Sequence, residues 1–246
     1  MPEGPSIIIM KEAVLPFKGK TILDAWGTGK ADLELLTGHR IIDIRTLGKQ
    51  LLIMVKDTTV RIHLLMFGTY SVNAQDRPDS RVRLALIFKK GSAYFYTCSV
   101  TSVDGDPLEV FDWESDIMGE KWNPVKAKKK LRERGEMLVS DALLDQDVFA
   151  GVGNIIKNEV LYRIRLHPET LVRDIPARLV TAMMKEARKY SFEFLEQKKA
   201  GTLKKNWEAY TKKICKRCEL PFNKKYIGKT KRRTYYCENC QVFYYS

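Results

Sequence analysis

Residues 215–240 read CKRCELPFNKKYIGKTKRRTYYCENC. Four of the chain's five cysteines stand in this stretch as two C-x-x-C pairs, Cys215/Cys218 and Cys237/Cys240, with eighteen residues between the pairs. Each pair sets two thiolates on one tight turn, and two such turns compose a tetrahedral four-cysteine site suited to one structural Zn²⁺. The spacer reads as a β-hairpin, with strands over 224–227 and 234–236 and a turn at Gly228-Lys229. A zinc hairpin this small has no core of its own; its use is to present side chains. The set presented here is Lys224, Lys225, Lys229, Lys231, Arg232 and Arg233. The competing reading is a ribbon whose role is structural alone.

Charge points to the same segment. Residues 198–246 hold 14 Lys/Arg against 3 Asp/Glu, a net +11, whereas the whole 246-residue chain carries +13. A cationic excess gathered in one segment is the electrostatic footprint of a nucleic-acid binder. Membrane attachment is not expected, because no run of about 18 apolar residues and no N-terminal signal pattern is present. Cys98 stands alone in a strand-like run and reads as core. With the other four thiols assigned to a metal, a reducing, intracellular setting follows. A monomer is expected, since no heptad or self-complementary patch is evident.

Working outward, the organisation is α+β and multidomain. Residues 41–45, 51–55, 59–65, 81–88 and 93–100 are short, β-branched or aromatic runs bounded by turn residues, and read as strands of a β-sandwich with flanking helices at 6–15 and 31–36. Residues 104–123 are acidic, carry Trp113 and Trp122, and read as a linker that stops at Pro124. Helical periodicity follows over 126–133, 140–144, 154–164 and 176–197. The expected domains are 1–118, a catalytic β-sandwich; 125–200, helical; and 210–246, the zinc finger.

Three stretches could carry chemistry. Gly151-Val152-Gly153-Asn154 joins two helices and opens the second, a geometry suited to holding a phosphate at a helix N-terminus and equally to a plain turn. Met1-Pro2-Glu3-Gly4-Pro5 would expose a secondary amine at Pro2 once Met1 is removed. Such an amine titrates near pH ~8, so a useful fraction is nucleophilic at neutral pH, and Glu3 stands beside it as an acid. Gly48-Lys49 is a strand-joining turn. His63 and His167 read as structural.

The conjunction decides the matter. M-P-E-G-P at 1–5, L-G-K-Q-L-L at 47–52, G-V-G-N-I-I-K-N-E-V-L at 151–161 and the four-cysteine hairpin occur in this order, and together they resemble the formamidopyrimidine-DNA glycosylase / endonuclease VIII family over the whole chain. The resemblance implies an N-terminal β-sandwich, a helix–two-turn–helix domain and a C-terminal zinc-finger β-hairpin. It implies a bifunctional DNA glycosylase and AP lyase (β,δ-elimination), DNA-associated, in the nucleoid or cytoplasm if bacterial, acting on double-stranded DNA that contains oxidised bases or abasic sites. By the same resemblance Pro2 is the nucleophile, Glu3 the acid, and Lys49, Asn154 and Arg232 grip phosphate. Met66 and Phe67, after Leu65, form a wedge, and Asp145 and Glu159 match further acidic positions.

Ser6 stands where many members carry Glu, which bears on turnover and keeps open an inactive member that binds damaged DNA. A zinc-ribbon regulator of another class would bind duplex DNA by sequence instead. The endonuclease VIII branch, and so oxidised pyrimidines, is implied by two features. The branch that acts on 8-oxoguanine has a D-x-R-R-F-G-like segment where residues 106–113 here read DPLEVFDW. It also has a long loop before the first zinc cysteine, where only residues 198–214 are available.

Overall fold

The chain folds as two units that divide between Asp112 and Trp113; the computed structural model describes residues 2–245. The first unit opens with helix α1 (Gly4–Val14). Its first turn carries Pro5, whose missing N–H would have no helical partner there. Ile7, Met10 and Val14 recur at helical spacing and are buried. Eight strands follow: β1 (Ile22–Trp26), β2 (Asp43–Leu47), β3 (Gln50–Met54), β4 (Thr59–His63), β5 (Thr69–Val72), β6 (Val82–Phe88), β7 (Ser92–Tyr96) and β8 (Ser99–Val103). A short helix α2 (Pro107–Val110) ends the unit.

The strands form two antiparallel four-stranded sheets, ordered β1-β6-β7-β5 and β2-β3-β4-β8. One core draws on both sheets and on α1: Ile7 and Met10 meet Ile44, Leu51, Ile53, Val60 and Ile62 from one sheet and Leu84, Leu86, Phe88 and Phe95 from the other. Each such side chain, fully buried, contributes about 1.5–3 kcal/mol relative to exposure. This is the expected β-sandwich. Cys98 lies in the core, where burial pushes its thiol up to about 12.

Two expectations fail in this unit. Residues 31–36 form bends and a turn rather than a helix; Ala31 and Leu36 are buried and Leu33 packs against the same core, but six residues with these few apolar contacts cannot meet the cost of nucleating a helix. The run 93–100 is not one strand. Thr97, at φ +50°, breaks it, so that β7 and β8 belong to different sheets. The strands β1 and β5, with mixed polar patterns, carry too weak an alternation to be read from sequence.

The second unit holds α3 (Pro124–Arg132), α4 (Val139–Ala142), α5 (Asn154–Arg163), α6 (Ala177–Lys199), α7 (Leu203–Asn206) and the hairpin β9 (Asn223–Ile227) and β10 (Arg232–Tyr236). Asn123 caps α3, its Oδ1 accepting the N–H groups of Val125 and Lys126 at 3.1 Å each. Val180, Met183, Met184, Ala187, Tyr190 and Phe194 give α6 one apolar stripe, packed with Leu143, Phe149, Ile156 and Val160 in the helical core. Every residue from Asn154 to Tyr162 is buried, so α5 is the central helix, packed against both α6 and β10. Among the described residues, no helix is long and apolar enough to cross a membrane.

Candidate active site and metal centre

In the first unit, Glu3 is the N-cap of α1 and is 0% exposed, directly after half-buried Pro2. Ser6 forms a reciprocal capping box with Glu3, its hydroxyl accepting the Glu3 N–H at 3.5 Å. The α1 helix packs on β2 and β3, whose two-residue turn, between paired Leu47 and Gln50, carries Lys49. The pairing of Gln50 with His63 brings the neighbouring strand alongside that turn.

His63 reads from sequence as merely structural, yet it joins two of the predicted elements. Burial, then the Lys49 ammonium, then Arg61, hold its imidazole below the ordinary range. Its Nδ1 is therefore available to accept the Leu65 N–H at 3.0 Å. That bond opens a tight loop in which Leu65 lies at φ +53° and the Gly68 N–H donates to Leu64 C=O at 2.7 Å. A side chain at residue 68 would collide with that carbonyl at 2.3 Å, so glycine is required. The closed loop holds Leu65, Met66 and Phe67 outward, with Phe67 78% exposed. A histidine in an alternating strand gave no signal that separated this role from packing.

In the second unit, the four cysteine Sγ atoms lie within 4.8 Å of one another, with Cys215 and Cys240 at 3.8 Å. Four thiols so gathered could hold a metal ion, and 3.8 Å is the separation that metal–sulfur bonds of about 2.3 Å give across a tetrahedron. Tyr162 Oη lies 3.4 Å from Cys215 Sγ, and Gln241 Oε1 accepts the Cys237 N–H at 2.9 Å.

Polar side chains of the helical part seat the hairpin. Asp141 Oδ2 accepts the Lys229 N–H at 2.8 Å, and its Oδ1 accepts the Thr230 hydroxyl at 2.7 Å. Asn158 Oδ1 accepts the Tyr235 N–H at 2.7 Å. Lys157, 1% exposed, donates from Nζ to Thr234 Oγ1 at 2.7 Å. Asn154 is 5% exposed and spends one amide N–H on Arg233 C=O at 2.9 Å; its Oδ1 is buried with no hydrogen-bond partner among the described residues. Asn154 and the Arg232 strand are thus brought together, over Gly151 at φ +102°, a conformation glycine adopts without strain. Sequence reasoning missed Asp141, Lys157 and Asn158, because their partners lie more than 70 residues away and no periodicity announces them.

Glu159, on the same helix, accepts the N–H groups of Glu208, Ala209 and Tyr210 at 2.9, 3.0 and 2.8 Å. Burial pushes its carboxyl above the ordinary range, against the pull of those three donors. Asp145 pairs with Arg134.

The comparisons with known proteins agree with this fold. The model of the formamidopyrimidine-DNA glycosylase N-terminal domain matches residues 1–99, and that of the formamidopyrimidine-DNA glycosylase H2TH domain matches residues 115–205. Endonuclease 8-like 3 of Mus musculus is 30% identical over 226 residues, covering 89% of this chain and 37% of that protein. Formamidopyrimidine-DNA glycosylase of Lactobacillus helveticus is 29% identical over 284 residues, covering 99% of this chain and all of that protein, 100%. The chain therefore spans well under half the length of the endonuclease 8-like 3 proteins, 37% for mouse and 39% for Xenopus laevis. A crystal structure of Lactococcus lactis formamidopyrimidine-DNA glycosylase, non-covalently bound to DNA containing an AP site, superposes with a TM-score of 0.84 at 21% identity, over 97% of this chain and 99% of that one. At that identity the likeness is one of fold.

Proposed function

The chain belongs to the formamidopyrimidine-DNA glycosylase / endonuclease VIII family, and on that premise we propose that it is a base-excision-repair enzyme: a DNA glycosylase with AP lyase activity that removes oxidised bases. The observation that carries the reading is the fully buried carboxylate of Glu3 directly after Pro2, at the start of α1. With Met1 removed, the Pro2 secondary amine attacks C1′ of the damaged nucleotide. The glycosidic bond breaks and its electron pair leaves with the base, which takes up a proton. The amine loses its own proton, and the C1′–O4′ bond then breaks, its electron pair going to O4′, which Glu3 protonates as the sugar ring opens. The resulting iminium acidifies the C2′ proton; loss of that proton expels the 3′ phosphate. A second elimination expels the 5′ phosphate, and water hydrolyses the iminium to restore the amine.

The partner is double-stranded DNA with an oxidised base or abasic site, which the protein engages as a monomer. The target nucleotide must leave the stack before C1′ is accessible. Met66 and Phe67 fill the gap it leaves, and Lys49, Asn154 and Arg232 hold flanking phosphates. Cys215, Cys218, Cys237 and Cys240 hold one structural Zn²⁺, which fixes the two ends of the hairpin. Asn154 reaches a phosphate with its second amide N–H, since the first is committed to Arg233.

Borohydride reduction on abasic-site DNA tests the mechanism. A stable covalent adduct at the Pro2 nitrogen is expected from Met1-processed protein, and it should be weakened or abolished in Pro2→Gly or in protein retaining Met1. Absence of any adduct from processed wild type would overturn the enzymatic reading and leave DNA binding alone.

A further inference from the structure

A cavity of about 310 Å³ lies in the β-sandwich unit, lined by Phe67, Arg77, Pro78, Arg81, Tyr96 and Thr97 among others. We propose that this cavity receives the base left unpaired on the opposite strand when a nucleotide is extruded, and that it favours guanine. The inference rests on the proposed reading of Phe67 as a wedge.

The volume is at the lower end of small-molecule sites, which suits a single nucleobase. One wall is Phe67, on the closed loop described above. Arg77, Pro78 and Arg81 come from the segment 73–81 between β5 and β6, and that segment's own bonds hold it in shape. Tyr96 Oη lies 2.7 Å from Ser71 Oγ and accepts the Asp76 N–H at 3.2 Å. Ser71 Oγ donates to Ala74 C=O at 2.6 Å. Gln75 Nε2 donates to Arg77 C=O at 2.9 Å and to Asp79 Oδ1 at 2.6 Å. The Thr97 N–H donates to Arg81 C=O at 3.1 Å, across the left-handed turn at Thr97. Arg77 and Arg81 therefore project exposed guanidinium groups from a preorganised frame. The carboxylate nearest Arg77 is that of Asp76, 4.0 Å away in a solvent-exposed pair that holds the guanidinium weakly.

A phosphate would be served by the two cations but would gain nothing from an aromatic wall. A base uses both: it stacks on Phe67 and offers its edge to a guanidinium fork. Guanine presents two acceptors, O6 and N7, side by side, which is the pattern a fork matches. Adenine replaces one of them with an amino donor that repels the fork. Guanine is also the base that faces any lesion derived from cytosine.

Fluorescence anisotropy with the full chain tests this. The probes are labelled duplexes carrying a tetrahydrofuran abasic analogue opposite each of the four bases. Wild type is expected to bind the guanine duplex about 10-fold more tightly than the adenine duplex. In Arg77→Lys/Arg81→Lys both charges remain and both forks are lost. The ratio between guanine and the other bases should then fall to within about twofold, read as a ratio so that any uniform change in affinity drops out. Equal wild-type affinity for all four duplexes, a preference for cytosine, or a guanine preference that survives the double substitution would each overturn the assignment. The readout is binding alone, so a failure of borohydride trapping by wild type would overturn the glycosylase reading without deciding this one.

Discussion

Glu3 and His63 show how differently two ionisable side chains can be placed in one sandwich. Glu3 is sealed at the N-cap of α1, whereas His63 bridges the Lys49 turn and the Leu65–Gly68 loop. Under the proposed mechanism, Glu3→Gln keeps volume and fold but removes the acid. Excision of a damaged base should fall by about 10²–10⁴-fold, the usual contribution of general acid catalysis. Cleavage at a preformed abasic site should fall less, because its sugar already exchanges with a ring-opened form that needs no acid; single-turnover assays on the two substrates measure the split, and an equal loss on both would remove Glu3 from that role. His63 makes a pH prediction. Its lowered pKa means that protonation favours the opened loop, so its contribution is complete above the ordinary imidazole value of 6.5 and is lost as pH falls from there through the lowered value of the folded state. His63→Leu should therefore destabilise by about 0.5 kcal/mol at about pH 7.5, the worth of one partly exposed hydrogen bond, and by less at about pH 5 in thermal melts. Ser6, read from sequence as a missing carboxylate, is a working part of the helix cap.

Helices and strands divide into those the sequence announces and those it cannot. The four-cysteine hairpin and the apolar stripe of α6 are local patterns, and both were legible. Residues 31–36 misled because a short apolar spacing says nothing about whether tertiary contacts will carry a helix. The 93–100 run misled because a left-handed Thr97 is a backbone event without a residue signature. Least legible was the way α5 holds the hairpin, since Lys157 and Asn158 sit in an ordinary helical pattern and reveal themselves only through Thr234 and Tyr235. This seating gives a prediction at the level of the element. Under the proposed zinc site, Cys237→Ala, or chelation of the ion the four cysteines would hold, should disorder the hairpin and weaken DNA binding while the sandwich unit keeps its own cooperative melt. Arg232→Ala with the metal retained should weaken binding too, and lower the slope of log affinity against log salt by about one phosphate contact. Full-strength binding by either protein would show that the hairpin is not a DNA grip. Lys157→Met, which keeps length without the charge, should act through the same hairpin, moving β10 amide exchange before it moves the helical core.

Across the whole molecule, the relatives include both endonuclease 8-like proteins and formamidopyrimidine-DNA glycosylases, so under the proposed function a lesion preference must be argued from the chain's own parts. In the branch that acts on 8-oxoguanine, a long loop before the first zinc cysteine covers the extruded purine, by the resemblance drawn above. The corresponding stretch here is short and already occupied. α7 takes up Leu203–Asn206, and the next residues are fixed by three N–H bonds to the Glu159 carboxylate. Trp207 and Ala209, in and beside that strap, are themselves buried. A segment tied down at residues 208–210 leaves little free chain to form a cover of that kind. Detaching it would leave a buried Glu159 carboxylate without its donors, at a cost of several kcal/mol. The expected substrates are therefore oxidised pyrimidines such as thymine glycol and 5-hydroxyuracil, which ask less of a cover. Single-turnover excision from matched duplexes should release them at least about 10-fold faster than 8-oxoguanine opposite cytosine, a difference of the size that unmatched polar contacts in a pocket produce. Faster release of 8-oxoguanine would place the chain in the other branch and show that the strap opens.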